Sequence, residues 1–332
     1  VTFPDALQYL HQLRQFGFQP GLETTRRLAA LVGNPHHHLR FIHVAGTNGK
    51  GSTCAMLESI YRQTGLKVGL YTSPHLVRFN ERIQVNRIPI PDQALADLVE
   101  ELRDQTIADA PGLEPTFFEF TTIVALRWFE REKCDLVIWE TGLGGRLDAT
   151  NIVTPLASVI TNIGLDHQHV LGKTHAEIAA EKAGILKREI PATTATQVPE
   201  ALEVLKFKAR ELEAPLITVD APAVHRFTIE PSLAGEHQRA NAALAAATVR
   251  LLRFILPVSD DQLRIGLETA QWPGRLQRLQ RGRNRWILDG AHNLDGIRAL
   301  TAFLQTEEAG QRPTLVLGIL ADKDWKEMVR RS

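Results

Sequence analysis

Phe41-Ile42-His43-Val44-Ala45 is a short apolar run that ends on Gly46-Thr47-Asn48-Gly49-Lys50-Gly51-Ser52, and residues 53–64 then carry Met56, Leu57 and Ile60 at helical spacing. A run this short, bounded by glycine, suits a buried strand. Strand, glycine-rich loop and helix in that order restrict the chain to α/β architectures. The alternation recurs. Lys67 to Tyr71, Leu136-Val137-Ile138-Trp139 and Leu156 to Ile160 read as buried strands, and residues 4–14, 21–32, 91–104, 117–131, 174–187 and 236–254 as helices. This order predicts an α/β fold, a mostly parallel sheet with helices on both faces. Trp272-Pro273-Gly274 breaks the pattern, after which 285–289, 294–305, 314–319 and 323–330 restart a strand, helix, strand, helix order. The expected division is residues 1–265 and a smaller α/β domain over 266–332, with the boundary between about 257 and 275.

Composition narrows the function classes. The 332 residues suit two domains, and 44% hydrophobic content is enough for ordinary cores. Lysine plus arginine equals aspartate plus glutamate, 38 against 38, so no global field draws nucleic acid or an anionic membrane. The longest apolar stretch, Ala242 to Leu256, is interrupted by Arg250 and Arg253, which excludes a membrane span there. Cys54 and Cys134 lie far apart with no CxxC, which argues against a disulfide framework or a zinc ribbon. With no charged-then-apolar leader at the start, a reduced, cytoplasmic compartment is expected.

The glycine-rich loop is a ready anion site. Main-chain N–H groups at a helix start point at phosphates, and the helix dipole favours negative charge. Thr47, Asn48, Gly49, Lys50, Gly51 and Ser52 are the phosphate-binding candidates, with Lys50 reaching the terminal phosphates. The sheet is then of the P-loop type. The Walker pattern asks for glycine where Val44 stands and for Ser or Thr where Gly51 stands, so the match is imperfect.

Ligands of open parallel sheets sit at the carboxyl ends of strands. Ser73-Pro74-His75, Glu140 with Gly142-Leu143-Gly144-Gly145, Asp166-His167 and Asp289-Gly290-Ala291-His292-Asn293 all follow strand ends. Glu140 with the hydroxyls of Ser52 and Ser73 makes a hard-oxygen set suited to Mg²⁺. Each has a plain structural alternative: a salt-bridged strand end for Glu140, a satisfied loop histidine for His167, a simple turn for 142–145. Four strand ends together favour a site. His36-His37-His38 reads as a solvated loop, Trp128 and Trp139 as core, and Arg281-Gly282-Arg283 as a hairpin turn.

These residues also carry a resemblance. His43-Val44-Ala45-Gly46-Thr47-Asn48-Gly49-Lys50-Gly51-Ser52 resembles the phosphate loop of the folylpolyglutamate synthase and dihydrofolate synthase family, which belongs with the Mur ligases. Gly-Lys-Gly-Ser is that family's own form of the loop. Thr72 to Leu76, Phe79 to Ile83, Glu140 to Asn151, Asp166-His167 with Leu171-Gly172, and Glu181 to Ile185 resemble further signatures. So do Gly235 to Gln238 with Asn241, Pro273-Gly274-Arg275 and Asp289 to Asn293, so the match runs along almost the whole chain.

The resemblance implies an ATP-dependent amide ligase adding L-glutamate to folate or dihydropteroate through an acyl phosphate. It implies two Mg²⁺ sites, the first held by Ser52, Ser73 and Glu140, the second by His167 next to Glu140. Lys182 matches a lysine that is carbamylated in the family, and Lys50, His167 and Lys182 form the implied catalytic set. Asn241, Arg275, Asp289 and His292 would meet the nucleotide, and Pro74, His75, Phe79 and Arg82 the pterin or folate. A monomer is implied, as is more C-terminal α/β domain than the 332 residues hold. Three alternatives stay open at this point: another Mur-type amino-acid ligase, a P-loop switch ATPase, and a folate-binding module without catalysis.

Overall fold

The computed structural model describes residues 1–13, 21–308, 313–320, 323 and 325–331. Eight strands form its central sheet: β1 (Phe41–Ala45), β2 (Val68–Tyr71), β3 (Ile83–Val85), β4 (Ile88–Pro89), β5 (Leu136–Glu140), β6 (Ala157–Ile160), β7 (Ala192–Thr194) and β8 (Leu216–Thr218). Their spatial order is β4-β3-β2-β5-β1-β6-β7-β8. From β2 to β8 every pairing is parallel, and β3 and β4 add an antiparallel edge. The carboxyl ends of β1, β2, β5, β6 and β7 therefore share one edge of the sheet.

Alternation along each strand sends neighbouring side chains to opposite faces. Phe41, Tyr71, Val137 and Trp139 pack under the helices Phe3–Gln12, Glu23–Leu31, Asp92–Asp109 and Phe117–Arg131. Ile42, Val44, Leu70 and Ile138 pack under Lys50–Arg62, Glu236–Leu251 and Asp260–Thr269. Burying a side chain such as Ile42 contributes about 1.5–3 kcal/mol. A third cluster lies beneath His175–Ala183 and Pro199–Glu211. The first of these helices is set by a reciprocal cap: Thr174 N donates to Glu177 Oε2 at 3.0 Å, and Glu177 N to Thr174 Oγ1 at 3.2 Å. Such a cap stabilises the helix start by about 1 kcal/mol.

The α/β architecture matches expectation, with shifts at element ends. The helix expected over 53–64 begins at Lys50, and that expected over 174–187 stops at Ala183. The first expected helix, 4–14, runs Phe3–Gln12, and its residue 14 lies outside the described residues. Beyond Trp272 the antiparallel hairpin β9 (Gln277–Arg281) and β10 (Asn284–Leu288) turns at Gly282, φ +60°, between Arg281 and Arg283 as expected. The helices Leu294–Glu307 and Trp325–Arg331 follow; residue 324, in the expected last helix, lies outside the described residues. Residues 314–319 are not a strand. An apolar run becomes a strand only beside a neighbour that takes its ladder bonds. Among the described residues none pairs with it.

Candidate active site

A cavity of about 500 Å³ opens where the strand ends meet. Lining it are Thr47, Asn48, Gly49, Lys50, Gly51 and Ser52 from the loop after β1, and Ser73 and Pro74 after β2. Glu140, His167 and Lys182 join them, as do Asn241, Arg275, Asp289 and His292. His75, Phe79 and Arg82 stand outside that lining and form a group of their own. There Arg82 Nε donates to His75 Nδ1 at 2.8 Å, and its guanidinium lies 5.8 and 5.4 Å from the ring centres of Phe79 and Phe117.

Gly49 has φ +83°, which favours glycine, and a Cβ there would come within 2.4 Å of Asn241 Oδ1 and displace that amide. Lys50 Nζ donates to the carbonyls of Gly46 and Thr47 at 3.2 and 3.3 Å. The loop is braced from β6: Thr47 N donates to Asn162 O, Asn48 N to Asn162 Oδ1, and Thr161 Oγ1 to Asn48 O.

Glu140 ends β5 and is 3% exposed. Burial pushes its carboxyl up to about 7, against the Lys50 charge and a 3.1 Å hydrogen bond from Ser73 N, which both lower it. Ser52 is buried, and its hydroxyl oxygen accepts from Gln238 Nε2 at 3.3 Å. Gln238 Oε1 in turn accepts from Asn241 Nδ2 at 3.0 Å, so Gln238 orients both. Lys182 is 3% exposed and donates to Gly46 O at 2.8 Å. Burial and the neighbouring Lys50 charge bring its amine down to about 7, where much of it is neutral at ordinary pH.

A second network joins the phosphate loop to the C-terminal segment. Asn48 and Asn293 exchange side-chain hydrogen bonds at 3.2 and 2.9 Å, and Asn293 Nδ2 also donates to Asp166 Oδ2 at 3.0 Å. Lys323 Nζ donates to Asp166 Oδ1 at 2.5 Å, and His292 Nε2 stands 3.6 Å from Oδ2. Burial raises the Asp166 carboxyl, but hydrogen bonds from Asn293 and Lys323 and the charges beside it outweigh that and hold it at about 2. Asp289 Oδ2 and Oδ1 accept from the N–H groups of Leu276 and Ala291, both at 2.9 Å.

Asn162, Asn293, Gln238 and the segment Ala195–Val198, none a candidate from the sequence, also line the cavity or brace it. Ala195–Val198 follows β7, a strand of three residues with no readable period. Asn162 could have been found by extending the strand-end rule past Ile160. In the histidine run 36–38, His37 and His38 are exposed as expected, with His38 Nδ1 2.7 Å from Glu130, whereas His36 is half-buried. Among the described residues no three His, Cys, Asp or Glu side chains gather as a metal cluster. No helix among them is long and apolar enough to cross a membrane.

Known proteins place this arrangement. Residues 44–219 match the Mur ligase middle domain. The chain is 42% identical to the dihydrofolate synthase/folylpolyglutamate synthase of Bacillus subtilis, covering 100% of this chain and 83% of that one. It is 35% identical to the folylpolyglutamate synthase of Lacticaseibacillus casei, again over 100% and 83%. A solved FPGS–AMPPCP–folate complex superposes with a TM-score of 0.92 at 34% identity, covering 100% of this chain and 86% of that one. The chain belongs to the folylpolyglutamate synthase/dihydrofolate synthase family of the Mur ligases.

Proposed function

We propose that this chain is an ATP-dependent ligase that joins the amine of L-glutamate to a carboxylate of folate or dihydropteroate. The observation that carries the reading is the meeting, in one cavity, of a phosphate loop, a buried carboxylate and a buried near-neutral lysine, in a chain 42% identical to a dihydrofolate synthase/folylpolyglutamate synthase. A solved relative is an FPGS–AMPPCP–folate complex.

A carboxylate does not react with an amine at neutral pH, because an oxide is a poor leaving group. The ligase passes the γ-phosphoryl group of ATP to the acceptor carboxylate, releasing ADP. The glutamate amine then attacks the carbonyl carbon of this acyl phosphate, phosphate departs with the C–O bonding pair, and the amine loses a proton. Lys50 and the N–H groups of residues 49–52 offset charge on the transferring group, which is mainly an electrostatic task, while those of Thr47 and Asn48 brace the loop on Asn162. Asn241, Arg275, Asp289 and His292 hold the nucleotide. Pro74, His75, Phe79 and Arg82 face the acceptor. The expected boundary at 265/266 falls inside the helix Asp260–Thr269, which packs on the phosphate-loop helix, so the segment after Trp272 acts as the smaller domain that closes over the cleft and excludes water from the acyl phosphate.

The residues suit two magnesium ions. Ser52, Ser73 and Glu140 offer a hydroxyl, a hydroxyl and a buried carboxylate with one main-chain donor, and His167, in the lining of the same cavity, would serve a second ion. Bound magnesium supplies positive charge at the phosphate oxygens. Lys182, as a carbamate, adds a carboxylate to the second site. The chain works as a cytoplasmic monomer.

The test is phosphate release from ATP with glutamate and either dihydropteroate or tetrahydrofolate. Release that needs both glutamate and an acceptor supports the ligase and shows which acceptors it takes. Release without an acceptor makes it a switch-type ATPase instead.

A further inference from the structure

The Walker pattern places Ser or Thr where this chain has Gly51, and the neighbours of Gly51 supply a physical reason. A Cβ at Gly51 would lie 2.7 Å from Trp272 Nε1 and 3.0 Å from Cε2, so the indole edge rests on bare backbone in the first turn of the helix Lys50–Arg62. The contact has a second point. Gly266, in the helix leading to Trp272, meets the same phosphate-loop helix near Ile60: a Cβ on it would lie 2.5 Å from the Ile60 Cα. The helix Asp260–Thr269 and the turn after it are thus seated along the phosphate-loop helix at both ends.

Arg87 adds a third contact, its guanidinium 5.4 Å from the Trp272 ring centre. Arg87 comes from the β3–β4 turn and feels the charge of Glu58, which is buried on the same helix as Gly51. The turn itself is fastened further on. Gly274, φ +71°, sits where a Cβ would touch Leu76 at 3.1 Å, and its carbonyl accepts from Gly290 N at 2.9 Å and from Arg275 Nη1 at 3.0 Å. Three residues after Trp272, Arg275 enters the cavity.

We propose that Trp272 is a positioning residue for the nucleotide: by resting on Gly51 it fixes where Arg275 stands relative to the phosphate loop. This rests on the nucleotide site of the proposed function. Gly51 and Trp272 are then two halves of one contact. Ser or Thr at 51 cannot be seated without displacing the indole, and a smaller residue at 272 leaves Arg275 free to shift. A shift on the order of 1 Å at a phosphate contact costs roughly 10- to 100-fold.

The experiment is a titration of the full chain with MgADP, alongside the KM values for ATP, glutamate and acceptor, in Gly51→Ala, Trp272→Leu, Trp272→Phe and the double variant Gly51→Ala/Trp272→Leu. Trp272→Leu is expected to weaken ADP and raise the ATP KM by roughly tenfold, leaving the glutamate and acceptor KM values unchanged. Trp272→Phe, which keeps a ring on Gly51, recovers most of that loss. Gly51→Ala weakens ADP in the unaltered background but does little further in Trp272→Leu, a coupling of about fivefold or more. Additive effects, or a lower thermal midpoint with unaltered ADP affinity, overturn the proposal. If the unaltered chain binds no nucleotide, the nucleotide site itself is wrong and the proposal falls with it.

Discussion

Lys182 Nζ donates to the main-chain carbonyl of Gly46 at 2.8 Å, tying the helix His175–Ala183 to the first residue of the phosphate loop across 136 positions of sequence. The amine is buried and sits at about 7, so its neutral, nucleophilic form grows as pH rises through neutrality. A neutral amine adds to CO₂, forming an N–C bond and releasing one proton, which gives the carbamate. Stripping CO₂ from the buffer should therefore lower activity, and bicarbonate should restore it, more readily above pH ~7 than below. Lys182→Met should lose on the order of 100-fold in turnover and become indifferent to bicarbonate. A bicarbonate response that survives in that variant assigns the effect elsewhere.

Lys50 is the one basic residue in the loop 46–52. Lys50→Ala should lower glutamate-dependent phosphate release by about 100-fold or more, while the thermal midpoint stays within a few degrees. Thermal unfolding measured beside the assay separates the two effects. Near-normal release would remove Lys50 from the phosphate site.

Glu140 must be ionised to hold a cation, and burial sets its carboxyl at about 7. Protons and magnesium therefore compete for it. The magnesium concentration for half-maximal activity should rise as pH falls from about 8 to about 6. Glu140→Gln should need more magnesium and lose most of that pH dependence. An unchanged titration would exclude Glu140 from the metal site.

His43, in β1 directly before the loop, is fully buried, and its Nε2 lies 2.9 Å from Thr150 Oγ1. Thr150 Oγ1 donates to Asp148, so it accepts from His43, and the Nε2–H form is the one present. Burial, then the Lys187 charge, hold this ring down at about 3. Its unfolded value is near 6.5, so between the two the unfolded chain binds the extra proton. The stabilisation is complete above about 6.5 and is lost as pH falls towards 3, by up to roughly 1.4 kcal/mol per pH unit. Denaturant unfolding at several pH values should show that slope in the native chain and a shallower one in His43→Gln. Equal slopes would contradict a neutral buried His43.

The sequence announced the parts of this fold that repeat a strong local pattern. β1, β2, β5 and β6 are apolar runs of four or five residues that end on glycine or polar residues, and each was readable. β3, β7 and β8 have three residues and β4 has two, too few to show a period, so the antiparallel edge and the far end of the sheet were not. Residues 314–319 had the composition of a strand without a partner for one, because ladder pairing is a property of the whole structure. The strand-end rule brought Ser73, Glu140 and His167 to one edge from spacing alone. Gln238 against Ser52 and Asn293 against Asn48 are contacts across 186 and 245 residues, which no local pattern encodes.

The most direct test of the central claim uses acceptor labelled with ¹⁸O in the carboxylate that is to be glutamylated. The products are followed by mass spectrometry in a reaction with ATP and glutamate. An acyl phosphate passes one carboxylate oxygen to the departing phosphate, so one ¹⁸O is predicted in the inorganic phosphate for each glutamate added. Glutamylated product formed with unlabelled phosphate would contradict acyl-phosphate activation in this cavity.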